Sequence, residues 1–342
     1  MKRISTGIEN FKELLDNNYY YVDKTKLIED VLSDKVMLYT RPRRFGKTLN
    51  MSMLYYFFSN KEKENAYLFD GLYISKQQEA KSYQNQYPVI FLSLKDMQSL
   101  NMEEQEKRFA GIISKIVIDN IGLLDSEEVD NSYKERLNDL RFLKANKVTL
   151  EGSLYLLAQA MKQFYKANTI ILIDEYDVPL QSAYNNGYYD EMVDFLRSMF
   201  SSALKTNDAL ERGILTGCLR ISKESIFTGL NNFTVRNITD KEASDCFGFT
   251  QKEIDDLLKY YDLIEKRPEI KDWYDGYLFG KTEIYNPWSA LNYIKKLLSD
   301  DQFLAISFWA NTSSNELVRL YIENATLKMK EEFEQLINGK SI

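Results

Sequence analysis

Nine residues constrain this chain more than any other stretch: Thr40-Arg41-Pro42-Arg43-Arg44-Phe45-Gly46-Lys47-Thr48, set between an apolar run and a helical pattern. Residues 36–40 are apolar and partly β-branched, as a buried strand requires. Residues 49–58 place Met51, Met53, Leu54, Phe57 and Phe58 in a pattern compatible with a helix. A strand, a loop and a helix ending in Gly-Lys-Thr predict a phosphate-binding turn, with backbone N–H groups and the helix N-terminus facing an anion. Gly46, Lys47 and Thr48 match the end of the P-loop pattern, whereas Arg41 stands where that pattern has its first glycine. The mismatch leaves an ordinary basic surface turn as the competing reading of the loop alone.

The wider sequence narrows the chemistry. There is no histidine among the 342 residues, which removes Ser-His-Asp and Cys-His catalysis and histidine-ligated zinc together. The net charge of −7 makes the Arg41, Arg43, Arg44, Lys47 cluster a local exception and argues against a chain that coats nucleic acid. Cys218 and Cys246 cannot form a metal cluster by themselves and read as buried small residues. The amino-terminal segment lacks the apolar core of a secretory signal and no run reaches membrane-spanning length, so the expectation is a cytoplasmic protein without a membrane partner.

Further buried strands are expected at residues 87–94, 169–173, 213–217 and 234–238, separated by helical stretches that include 95–165 and 190–205. Short helices are expected within residues 7–21 and at 26–32, the latter capped by Asp23 or Thr25. Apolar strands alternating with helices indicate an α/β fold, with a parallel sheet covered on both faces and ligands at the carboxyl ends of its strands. Past residue 240 the pattern changes to a helix at 250–261, a hairpin at 276–285 and a helix from Asn286-Pro287 to residue 298. The expected division is a core at 1–239, a small helical or winged-helix-like lid at 240–320, and a final helix or linker at 321–342.

Four apolar residues lead into Asp174 and Glu175, a Walker B pattern whose combination with the loop is far more specific than either part. Thr48 and Asp174 are the candidate Mg²⁺ ligands, Glu175 the candidate for orienting or deprotonating a water, and Lys47 the cation for the β- and γ-phosphates. Arg43, Arg44, Phe45, Gly46, Lys47, Thr48 and Leu49 are candidate nucleotide contacts. For Arg43 and Arg44, phosphate contact, another polyanion and solvated flanking charge all remain open. Tyr21 and Val22 either pack on the base or belong to the core. Arg220, after the strand at 213–217, either stabilises transition-state charge or pairs with a structural carboxylate, with Lys223 a weaker candidate beside it. Asp177 either assists the metal or water, or caps the turn before Pro179.

Several segments together resemble one family: Thr6-Gly7-Ile8, Tyr21-Val22-Asp23-Lys24-Thr25, the loop 41–48, Asp174-Glu175-Tyr176-Asp177-Val178-Pro179, Phe227 to Asn232, Trp273 to Tyr277, and Tyr285-Asn286-Pro287-Trp288-Ser289. The chain is similar in them to the bacterial AAA-ATPase-like family, related to archaeal ATPases and the STAND class of signalling NTPases. Arg-Pro-Arg-Arg-Phe-Gly-Lys-Thr is that family's own loop, so the resemblance implies that Arg41 is a family variant. It also implies ATP and Mg²⁺ as cofactors, hydrolysis, and a lid carrying residues 273–277. A nucleotide-driven switch read by a protein effector or by self-association follows, with defence or mobile-element biology as its setting. Two alternatives accompany it: a nucleotide-binding module with little turnover, and the ATPase part of a nucleic-acid-processing system whose DNA binding by this chain is open. Many members continue into a PD-(D/E)XK nuclease-like domain. No such constellation is expected within these residues, because there is no Pro-Asp dipeptide and Glu269-Ile270-Lys271 lacks a partner acid.

Overall fold

The computed structural model describes residues 1–219, 226–227, 233–308 and 325–337. Arg220, Lys223 and the segment 228–232 therefore lie outside the described residues. Five strands form a parallel sheet in the order β2-β3-β4-β1-β5: β1 is Val36–Thr40, β2 Val89–Ser93, β3 Thr169–Asp174, β4 Leu210–Gly217 and β5 Phe233–Arg236. The chain is thus an α/β protein with P-loop-like strand order.

The period of two along each strand decides which face a side chain serves. Val36, Leu38, Ile171, Ile173 and Leu215 enter one core, where they meet helices Met102–Asp119, Ser153–Tyr165 and Tyr189–Phe200 through Phe109, Leu157 and Phe195. Met37, Tyr39, Ile170, Leu172 and Ile214 enter the other, against helix Lys47–Phe58 and its Met51, Leu54 and Phe57. Both faces are covered, so β1, β3 and the second half of β4 are buried, and β1 and β3 read as near-continuous apolar runs. Each fully buried Ile, Leu or Phe contributes roughly 1.5–3 kcal/mol, enough in aggregate to fix the register.

A three-stranded antiparallel sheet, β6-β8-β7, follows: β6 is Phe249–Thr250, β7 Asp275–Phe279 and β8 Thr282–Tyr285. Helices Gln251–Tyr260, Arg267–Tyr274 and Pro287–Leu297 accompany it. Phe247, Phe279 and Ile284 join the second core of the main sheet. The last of these helices starts as its sequence requires, with Asn286 accepting the Ser289 N–H at 3.1 Å and Pro287 in the first turn. Residues Met1–Ala305 form one compact unit. A second, Ile306–Ile342, contains the described helix Leu327–Ile337. Among the described residues no helix is long and apolar enough to cross a membrane.

Several local expectations change. The helix expected within 7–21 is only Phe11–Asp16, started by Asn10 accepting the Glu13 N–H at 2.9 Å and ended at Asn17, after which Asn18 takes φ +55°. The helix at 190–205 is α-helical over Tyr189–Phe200 and closes in a π turn, Ser201–Lys205. Neither Asp23 nor Thr25 caps helix Leu27–Leu32. Asp23 instead accepts the N–H and hydroxyl of Thr25, at 2.9 and 2.6 Å.

Candidate functional site

The pairing register sets the carboxyl ends of β1, β4 and β3 side by side, Thr40 against Gly217 and Ile173 against Leu215. Lys47, Thr48, Asp174 and Glu175 gather there. Asp174 is completely buried and accepts hydrogen bonds from Thr48 Oγ1 at 2.7 Å and Thr216 Oγ1 at 2.5 Å. Burial pushes its carboxyl above the ordinary range, and the two hydroxyl donors oppose that shift. Glu175 follows with φ +56°, a left-handed conformation that is strained for a non-glycine residue, and its carboxylate lies 3.3 Å from Lys47 Nζ.

Lys47 is itself buried. Its Nζ donates to the carbonyls of Arg41 and Pro42, both at 3.3 Å, and to Cys218 Sγ at 3.2 Å. Burial disfavours the ammonium, but the Cys218 sulfur and Glu175 outweigh it and raise its pKa. The Cys218 thiol is pushed up to about 11 by burial, so it is neutral at physiological pH. Cys218 is half-buried, unlike Cys246, and forms part of the site.

The loop resolves the arginines. Arg41 is completely buried, with its N–H continuing the β1–β4 pairing by donating to Gly217 at 3.0 Å. Its guanidinium donates to the carbonyls of Thr40, Arg236 and Ala243 at 2.9, 2.7 and 3.1 Å, and its carbon lies 5.1 and 5.2 Å from the ring centres of Phe247 and Phe279. Burial lowers its pKa to about 10, which leaves it charged at neutral pH. Arg41 therefore ties the loop to the end of β5 and to the segment leading into the second sheet. Arg43 donates to Gln181 Oε1 at 3.1 Å. Arg44, at φ +68°, stacks its guanidinium 3.8 Å from the Trp288 ring centre. Phe45 is buried with Tyr277 and Phe279 at 4.8 and 5.4 Å between ring centres.

Gly46, at φ +77°, precedes helix Lys47–Phe58, whose N-terminus carries no side-chain cap and no acidic residue in its first turn. The orphan N–H groups and the positive dipole end suit an anion there. A cavity of about 310 Å³ opens onto this turn, with Lys47, Thr48 and Glu175 at its polar wall. Phe45, Gly46 and Leu49 also line it, as do Arg44, Tyr21 and Val22, whereas Arg43 does not. Tyr21 lines the cavity and also packs edge-on against Phe11, at 5.2 Å between ring centres. Other wall residues, among them Ser5 to Glu9 and Pro287, Trp288 and Leu291, escaped the reading of the residues one by one. Five of these, Thr6, Gly7, Ile8, Pro287 and Trp288, lie in the segments Thr6-Gly7-Ile8 and Tyr285 to Ser289, where the family resemblance was the available signal.

Among the described residues no group of three or more Asp, Glu or Cys forms a metal cage. Thr48 and Asp174 nonetheless supply a hydroxyl and a carboxylate at one point, the hard oxygen pair that Mg²⁺ takes from a protein when phosphates and waters complete its shell.

Strand order, loop and uncapped helix together define a P-loop-like α/β protein. Residues 5–227 match the family described as predicted AAA-ATPase, and the chain belongs to it. It is also 27% identical, over 302 residues, to an uncharacterised protein from the vnfD 5′ region of Azotobacter chroococcum mcd 1. That alignment covers 86% of this chain and 52% of the other, so the chain spans about half the length of this curated relative.

Proposed function

We propose that the chain binds ATP with Mg²⁺ at this cavity, hydrolyses it, and uses nucleotide state as a switch. The supporting observation is the convergence of Lys47, Thr48, Asp174 and Glu175 at three adjacent strand ends beside an uncapped helix N-terminus. In this reading the first turn of helix Lys47–Phe58 and Lys47 hold the phosphates, and Thr48 and Asp174 hold the metal, which supplies charge neutralisation when bound. Water oxygen bonds to the γ-phosphorus, the bond to the bridging oxygen breaks with its electron pair passing to ADP, and Glu175 accepts the water's proton. The base lies on the walls formed by Tyr21, Val22 and Trp288, which makes the second sheet region part of the nucleotide site. That region would carry nucleotide state to a protein effector or to another copy of the chain.

One observation favours a second reading, a binding module with little turnover. Glu175 is tied to Lys47 at 3.3 Å, so the base must leave an ion pair before it can serve water. A nucleic-acid role finds less support, because Arg41 and Lys47 are buried and cannot present a basic surface.

Equilibrium binding of ATP and phosphate release, each with and without Mg²⁺, separates the readings. Hydrolysis predicts Mg²⁺-dependent release that Lys47→Ala abolishes. Tight binding with background release supports the module, and absence of binding removes both.

A further inference from the structure

Asp177 has a use that neither metal binding nor water activation describes. Its carboxylate is completely buried and takes hydrogen bonds from the Cys218 N–H at 3.1 and 3.2 Å, the Leu219 N–H at 3.1 Å and Gln181 Nε2 at 2.7 Å. All of these partners are donors, so the carboxylate's acceptor capacity goes to protein N–H groups. The Gln181 amide is oriented by its two neighbours, with its NH₂ toward Asp177 and its oxygen accepting Arg43 Nη2 at 3.1 Å.

The segment that Asp177 holds is fixed from other sides as well. Tyr176 donates its hydroxyl to the Leu219 carbonyl. A Cβ on Gly217 would sit 2.5 Å from the Tyr176 ring and 2.6 Å from Asp177 Oδ1, so the end of β4 approaches this pair as only glycine permits. Within the held segment, Cys218 Sγ touches Lys47 Nζ at 3.2 Å and Glu175 at 3.9 Å.

We propose that Asp177 is a positioning residue that clamps residues 218–219 against Lys47 and Glu175, and that Gln181 couples this clamp to Arg43 in the phosphate loop. A change at Arg43 is thereby felt at the end of β4 through Gln181 and Asp177. The clamp stands on its own geometry, and its effect on turnover rests on the proposed hydrolysis.

The test uses the two thiols of the chain as reporters, Cys218 in the clamped segment and buried Cys246 as the internal control. Iodoacetamide alkylation of each is followed by mass spectrometry in wild type, Asp177→Asn and Gln181→Leu. Loss of one charge-assisted hydrogen bond predicts about a tenfold faster Cys218 reaction in either variant, with Cys246 unchanged. Unchanged Cys218 rates, or both thiols accelerating together, would overturn the clamp. Should Asp177→Asn fail to fold, Gln181→Leu decides alone, because its side chain is only partly buried. Where ATP hydrolysis is measurable, kcat should fall about tenfold in Gln181→Leu with KM for ATP within about threefold. Equal loss in kcat and rise in KM contradicts a positioning role. Because alkylation needs no nucleotide, its outcome is independent of whether the chain hydrolyses ATP.

Discussion

The two sheets of this molecule treat charge in opposite ways. At the carboxyl end of the five-stranded sheet, Arg41, Lys47, Asp174 and Asp177 are all buried. In residues 249–297, around the three-stranded sheet, no Asp, Glu, Lys or Arg is buried, and pairs such as Arg267–Asp255 and Lys271–Glu283 lie toward solvent. What that region buries is chiefly apolar, aromatic residues such as Phe249, Tyr274, Phe279, Tyr285 and Tyr293 beside aliphatic ones such as Ile254, Leu257, Ile284 and Ile294. Desolvating an ionised group costs several kcal/mol, so buried charge persists where hydrogen bonds and opposite charge offset it. The first region holds its buried charges in hydrogen bonds and ion pairs at the strand ends. The second is organised for packing, and it meets the site through Arg41, Phe45 and Trp288.

The comparison can be broken most forcefully at Arg41. Although it sits in the loop, its guanidinium is spent on backbone carbonyls and on the Phe247 and Phe279 rings, so Arg41→Met should lower folding stability by about 3 kcal/mol by removing the donor to three carbonyls. Chemical denaturation measures this, and a loss of nucleotide affinity with unchanged stability would place Arg41 on the other side of the comparison. Trp288 tests the opposite border. Trp288→Ala should weaken ATP binding about tenfold while leaving kcat nearly unchanged, the size expected for a lost aromatic contact to a base. A fluorescent ATP analogue reports it, and undiminished affinity would remove the second region from the nucleotide site.

The smallest expected effect concerns Asp174, and its sign runs against intuition. Burial holds its folded pKa above the unfolded value, so the folded chain binds this proton more readily. The resulting contribution to stability is present below the ordinary carboxylate range and is lost as pH rises through the raised value. Asp174→Asn should therefore stabilise the chain by about 1 kcal/mol at neutral pH, a gain that disappears toward pH ~4, while turnover is lost. Thermal melts across pH check it, and destabilisation at neutral pH would show that the Thr48 and Thr216 hydrogen bonds outweigh burial.

The strands β1, β2 and β3 were legible because each is a short apolar run, whereas β4 starts earlier than its apolar part, at Leu210, and β5 stops earlier than expected, at Arg236. Asp174 and Glu175 were legible for the same reason, standing directly at the end of such a run. Arg41 was not, since its acceptors on Arg236 and Ala243 lie about two hundred positions away and no local pattern reveals which way a loop arginine turns. Asp177 left two readings because its partners in the 218–219 backbone are fixed only once β4 lies beside β3, whereas Gln181 is a local partner on the helix that follows it. The helix at 189–200 shows a finer limit. Ser202 donates its hydroxyl to the carbonyls of Met199 and Glu151, at 3.0 and 3.2 Å, beside the place where the α-helix gives way to the π turn.

The most direct test of the central claim is a single substitution at the group assigned to the water. Phosphate release by the Glu175→Gln variant, measured beside its ATP affinity, should fall at least about a hundredfold while the affinity stays within about threefold of wild type. Wild-type turnover that is Mg²⁺-dependent yet unchanged by Glu175→Gln would contradict the assignment of this carboxylate and with it the mechanism proposed for the site.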